Sequence, residues 1–149
     1  MLKDQIQNDM KDAMIAKDAE TLSVIRMLKS AIQYFEIQKG GANYEATDED
    51  VIEVIGKEVK KRRESVALYI QGGRPELADK EKKEIEILQK YLPEQLTEEV
   101  LQTLVDEAVT QSGAASMQDM GKVMGILMPK VKGKADSSLV SQLVRNKLS

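Results

Sequence analysis

The run Met128-Pro129-Lys130-Val131-Lys132-Gly133-Lys134-Ala135-Asp136 places three lysines at alternate positions. If this loop is extended, Lys130, Lys132 and Lys134 point to one side and Val131 to the other. Three ammonium groups on one side suit contact with phosphates. A helix starting just after the loop would add exposed backbone amides to the same anion-friendly surround. Asp136 occupies part of that helix end and works against it. Lysines at every second position of a loop more often serve simply as solubilising charge, and the pattern alone favours that plainer reading.

The rest of the sequence narrows the chemistry by what it lacks. There is no His and no Cys. Triads built on His, thiolate zinc sites and disulfides are therefore excluded, and acid–base work near neutral pH would need a shifted carboxylate, lysine or tyrosine. No Gly-rich phosphate loop of the Walker or dinucleotide type is present. Asp48-Glu49-Asp50 lacks the spacing and glycine of a calcium loop and reads as helix-start electrostatics. The expectation is a protein with no catalytic residues, no cofactor and no metal.

Charge is unevenly spread. From Thr97 to Asp119 there are five acids and no base, whereas Met120 to Ser149 holds six bases (Lys122, Lys130, Lys132, Lys134, Arg145, Lys147) and one acid. Such asymmetry steers a polyanion toward one face. No aromatic residue lies beyond Tyr91. Base stacking is thus disfavoured in this region, and RNA contact would run through backbone and shape. Gly121 and Gly125 sit four apart in a helical pattern. Each costs about 1 kcal/mol against alanine, so an offsetting benefit is expected. Close packing of a neighbouring helix is the commoner one, and close approach of an RNA backbone is the other. Lys60-Lys61-Arg62-Arg63 would point in four directions on a helix, with Arg62 falling on an apolar stripe and pairing with Glu81 or Glu84.

These residues must be positioned by helices. Apolar residues recur at helical spacing in seven segments, and no segment alternates with period two, so an all-α fold without a sheet is expected. The first stripe is Leu2, Ile6, Met10, Ala13 and Met14. Asp18 caps a second helix through Leu22, Ile25, Leu28, Ile32 and Phe35, stopped at Gly40-Gly41 before a loop to Ala46. Thr47 caps a third, through Val51, Ile55, Val59, Arg62, Val66 and Tyr69, and Pro75 opens a fourth. Pro93 ends that one. The boundary falls at Pro93 to Leu96, giving a four-helix domain over 1–92 and a three-helix bundle over 97–149. In the bundle, Thr97 caps a fifth helix ending near Gly113, Ser116 and Asp119 resemble a capping box for the sixth, Pro129 ends or kinks it, and Asp136 caps the seventh. The inward stripes of these last three helices are Leu101, Leu104, Val105, Ala108 and Val109, then Met120, Val123, Met124 and Leu127, then Leu139, Leu143 and Val144. With five aromatic residues in the chain, the core must be aliphatic, filled out by eight Met.

Three motifs in combination carry a family resemblance: Tyr91-Leu92-Pro93-Glu94-Gln95-Leu96, Met120-Gly121-Lys122-Val123-Met124-Gly125 and the basic run 128–136. With Ile25-Arg26-Met27-Leu28, Arg62-Arg63-Glu64-Ser65 and Gly73-Arg74-Pro75-Glu76-Leu77, the chain resembles the GatB/YqeY family over essentially its whole length. It is most similar to the free-standing YqeY-like proteins. The resemblance implies a C-terminal domain similar to the tail of the GatB component of the glutamine-dependent tRNA amidotransferase, which contacts the body of tRNA. The amide chemistry of that enzyme lies in a separate domain that nothing here resembles. A carbon–nitrogen ligase label would therefore be inherited from the family name. Ser137 stands where the family commonly has Gly, which would weaken RNA contact if that glycine admits the RNA closely.

The expected function is a non-catalytic, cytoplasmic tRNA-binding accessory protein. Lys130, Lys132 and Lys134 would contact phosphates, and Lys122, Arg145 and Lys147 would contribute around them. A helical protein-interaction module is the alternative, with a partner protein instead of RNA. No apolar leader and no membrane-length apolar stretch is seen, so no membrane partner is expected.

Overall fold

The computed structural model describes residues 1–41 and 43–149. Ala42, inside the loop expected between the second and third helices, lies outside the described residues. Among these residues, seven α-helices follow in order: α1 (Leu2–Ile15), α2 (Ala19–Gly40), α3 (Asp48–Gln71), α4 (Pro75–Gln89), α5 (Glu98–Ser112), α6 (Met120–Val131) and α7 (Ser137–Leu148). Among the described residues there is no strand, and the fold is all-α. The chain divides into two compact units, Met1–Leu92 and Pro93–Ser149. No helix is long and apolar enough to cross a membrane, among the described residues.

In the N-terminal unit, α1 to α4 enclose an aliphatic core of Ile6, Val24, Ile25, Leu28, Ile32, Val51, Val54, Ile55, Val59, Ile85 and Leu88, with Tyr91 at its margin. Each buried set repeats at three- or four-residue intervals, which puts it on one stripe of its helix. Met14 departs from the expected stripe and is exposed. It lies in the last turn of α1, next to a chain reversal through Lys17, whose φ is +56°.

Arg62 does point along the apolar stripe of α3, and its guanidinium is held by two carboxylates. Nη1 donates to Glu58 at 2.9 Å and Nε to Glu84 at 3.3 Å. Glu84 is one of the two expected partners. Glu58, one turn back on the same helix, is an additional one.

The start of α3 is the most heavily bonded corner of this unit. Thr47 accepts from the Asp50 amide, and Asp50 accepts in return from the Thr47 amide at 3.0 Å, which makes a reciprocal capping box. The Asp50 carboxylate also takes Lys39 Nζ at 2.8 Å and the Tyr44 hydroxyl at 2.5 Å. These donors, Lys39 foremost, hold its carboxyl far below the usual carboxylate range. Glu36 accepts from Lys3 at 2.8 Å and from the Ala46 amide at 2.7 Å, and Asp48 accepts from the Leu2 amide at 3.0 Å. The loop between α2 and α3 is therefore pinned by ionic and polar groups, with Ala46 buried in the core beside them.

The C-terminal unit packs α5, α6 and α7 around Leu101, Val105, Ala108, Val123, Leu127, Val131, Val140, Leu143, Val144 and Leu148. Gly113 closes α5 in the left-handed region at φ +69°. One local expectation fails here: Ser116 makes no side-chain cap; a short 3₁₀ turn over Met117–Asp119 precedes α6, and Asp119 reaches back to the Ala115 amide at 3.0 Å. Of the two outcomes expected at Pro129, an end or a kink, the end is not seen, since α6 runs on to Val131. Pro129 and Gly125, the residue whose carbonyl loses its partner, are both exposed. Water can take up that carbonyl, which lowers the cost of a proline inside the helix.

The expectation that Gly121 and Gly125 admit a neighbouring helix also fails. Both are exposed, and a Cβ at either position would meet nothing within 4 Å. Gly121→Ala and Gly125→Ala should each stabilise the C-terminal unit by about 0.8–1 kcal/mol. Denaturant titration followed by hydrogen exchange in α6 would measure this, and destabilisation would show that the glycines are packed against something.

A second outcome concerns Asp50. Its native carboxyl is depressed, so its stabilising effect is complete above the unfolded value of about 4 and is lost as pH falls through the native value. Asp50→Asn should be less stable than wild type at pH 7, and the two should converge as the medium is acidified. Parallel stability curves from pH 7 to pH 2 would refute the assignment.

Candidate nucleic-acid interface

The basic run is not an extended loop. Lys130 belongs to the last turn of α6, and residues 132–135 form a tight turn into α7. Val131 is buried in the core, and its carbonyl accepts from the Lys134 amide at 2.8 Å and the Ala135 amide at 3.2 Å. Gly133 sits at φ +77°, a conformation that costs glycine little and other residues more. The alternating geometry read from the sequence is thus replaced by a helix end plus a turn. The driving force is burial of Val131, which carries the helix on past the proline. Lys130, Lys132 and Lys134 are still all exposed at this end of the bundle.

The turn is braced from outside its own sequence. Gln95 Nε2 donates to the Gly133 carbonyl at 2.9 Å and to the Pro93 carbonyl at 2.8 Å. The Leu96 amide donates to the Lys134 carbonyl at 2.9 Å. On the far side, Asp136 caps α7 by accepting from the Ser138 amide at 3.0 Å. This cap turns the carboxylate to the first amides of α7 and lessens their appeal to an anion, in line with the sequence expectation. Ser137 occupies the first helical position and is exposed.

The six basic residues do not form a single cluster. Lys122 lies eight residues before Lys130 on α6, about 12 Å away along the axis. Lys122 pairs with Asp119 at 3.9 Å. Arg145 and Lys147 stand in the last turn of α7, and Lys147 pairs with Asp106 of α5 at 3.4 Å. Lys130 ends α6, and Lys132 and Lys134 follow on the adjoining turn. Lys122 and Lys147 are drawn toward acids of their own unit, and Arg145 is exposed at the far end of α7.

The exposed side of α6 also carries Gly121, Gly125 and Pro129. That side presents almost bare backbone. Gln95 was missed by sequence reasoning, which treated Pro93 to Leu96 as a boundary. The available signal was that this motif and the basic run carry the same family resemblance 38 residues apart, as two parts of one site would.

Comparison with known proteins now bears on these residues. The model of the family described as YqeY-like protein matches residues 3–148. Among curated relatives, a protein of Clavispora lusitaniae named altered inheritance of mitochondria protein 41, mitochondrial, is 39% identical over 106 residues, covering 69% of this chain and 60% of that protein. The protein of the same name from Pyrenophora tritici-repentis is 30% identical over 146 residues, covering 95% and 77% respectively. That from Kluyveromyces lactis is 32% identical over 126 residues, covering 79% and 66%. The matched region thus spans between three-fifths and about three-quarters of these relatives.

Their names correct the expectation of a cytoplasmic protein, since they point to the mitochondrion instead. The expectation rested on the lack of an apolar leader and of a membrane span. Neither distinguishes the cytosol from the interior of an organelle. With the family model covering nearly every residue of both units, the chain belongs to the YqeY-like family.

Proposed function

We propose that this protein is a non-catalytic tRNA-binding accessory protein whose α6–α7 turn engages phosphates of the RNA body. The observation that carries the reading is that Lys130, at the end of α6, and Lys132 and Lys134, on the turn that follows, are all exposed, with that turn braced by hydrogen bonds from Gln95 and Leu96. A braced backbone beneath exposed lysines loses less backbone freedom on binding than the same charges on a loose loop. The bare side of α6 adjoining the turn lets a sugar–phosphate backbone approach the helix without a side chain in the way. The lack of any aromatic beyond Tyr91 fits recognition by shape and backbone. The resemblance to the tRNA-contacting tail of the amidotransferase GatB component supports the same partner. Amide-forming chemistry is not part of the proposal.

A protein partner in place of RNA is the second reading. It draws on the exposed acids of α5, Glu98, Glu99 and Glu107, which would repel a polyanion and suit a basic surface. Recovery of a stoichiometric protein partner after nuclease treatment would favour it.

The first test is binding of bulk tRNA at two salt concentrations. Three neutralised phosphates predict a slope of log affinity against log salt of roughly −2 to −3. Replacing Lys130, Lys132 and Lys134 together by Ala should weaken binding more than tenfold and flatten the slope. An affinity indifferent to salt, or equal in wild type and triple variant, would defeat the proposal. The pair Gly121→Ala and Gly125→Ala gives an independent check: tRNA affinity should fall although the protein becomes more stable.

A further inference from the structure

Gln95 lies outside the basic run, in the segment that leads into α5, yet its side chain makes two hydrogen bonds with carbonyls. One holds its own segment at Pro93, and the other holds the turn at Gly133. A single carboxamide therefore locks this leading segment to the turn. The neighbouring Leu96 amide repeats the attachment one residue further along, at the Lys134 carbonyl. A carboxamide is suited to this task because its two N–H donors diverge and can serve two acceptors at once. Of the two clamped turn residues, Gly133 is in the left-handed region and Lys134 carries one of the three ammonium groups.

We infer that Gln95 is a positioning residue for RNA recognition: its carboxamide fixes the shape of the α6–α7 turn, so that affinity depends on the leading segment as well as on the lysines. The inference rests on the proposed tRNA binding and adds to it a residue without charge that touches no phosphate. It also places a control point, since any ligand or contact that displaces Gln95 from Gly133 leaves the Leu96 amide as the remaining attachment of this segment and loosens the turn. In the relaxed turn the three lysines keep their charge and lose their arrangement. Electrostatic attraction to tRNA then persists while affinity falls.

The test is Gln95→Met in the full chain. Methionine keeps the length and bulk of the side chain and removes both donors. Faster hydrogen exchange at the Lys134 and Ala135 amides is expected, with the rest of α5 to α7 unchanged. Affinity for bulk tRNA should drop about three- to tenfold. The salt slope should stay that of wild type, whereas each lysine replaced reduces it by roughly 1. A loss of affinity through general unfolding would instead accelerate exchange throughout the unit and overturn the assignment. Unchanged exchange at the turn overturns the clamp. Faster exchange with wild-type affinity overturns its role in recognition. A wild-type protein that binds no tRNA at low salt is a separate failure: it removes the proposed function and the recognition role with it, while exchange still reports on the clamp.

Discussion

The C-terminal unit hangs on a backbone hydrogen bond between the Leu96 amide and the Lys134 carbonyl. That bond, with the Gln95 carboxamide beside it, brings the first residues of the unit to the turn between its last two helices. Without such an attachment, a three-helix bundle of this size leaves its entry segment and its tightest turn as separate exposed pieces of chain. With it, the aliphatic core from Leu101 to Leu148 is closed at one end by polar backbone. The backbone that bears Lys132 and Lys134 is thereby held, while their side chains stay exposed. Position is supplied by uncharged groups, and charge is left for a partner.

The N-terminal unit solves a similar problem by other means. Its longest connection, between α2 and α3, is secured by carboxylates that each collect several donors. Asp50 gathers Lys39, Tyr44 and the Thr47 amide, and Glu36 gathers Lys3 and the Ala46 amide. Lys39 also lies over the rings of Phe35 and Tyr44, at 5.5 and 5.3 Å from their centroids. Here the charges are consumed internally. In this unit they serve the architecture, whereas Lys130, Lys132 and Lys134 are left outward at a braced turn.

The helices were legible because aliphatic periodicity is strong and Gly, Pro, Thr and Asp punctuate it in the expected places. Asp18, Thr47, Thr97 and Asp136 each accept the amide expected of a cap. Reading failed where a local rule met a tertiary demand. Pro129 was expected to end or kink α6; burial of Val131 draws the helix on past it, and the exposed proline sits where water can compensate. Ser116 makes no cap of its own, while Asp119 reaches back, as the third residue of a capping box does, to the Ala115 amide. The glycines of α6 were assigned to packing because that is what paired glycines commonly do, and only a three-dimensional neighbourhood shows that nothing packs there. The lysines of the candidate site were legible as residue types. Their bracing by Gln95 was not, since a hydrogen bond across 38 residues leaves no periodic trace in the sequence.

The hydroxyl of Tyr91 donates to Asp9 across 82 residues at 2.5 Å. Tyr91 is buried at the core's edge while Asp9 belongs to α1, so the first helix is tied to a residue that is nearly the last of its unit. During synthesis this ordering imposes a wait. The first helix leaves the ribosome with its apolar stripe uncovered and cannot complete its contacts until residue 91 has emerged behind it. At some 5–20 residues per second that interval lasts about 4 to 16 seconds. For that time the N-terminal segment is the part of the nascent chain most open to chaperones and to misassociation.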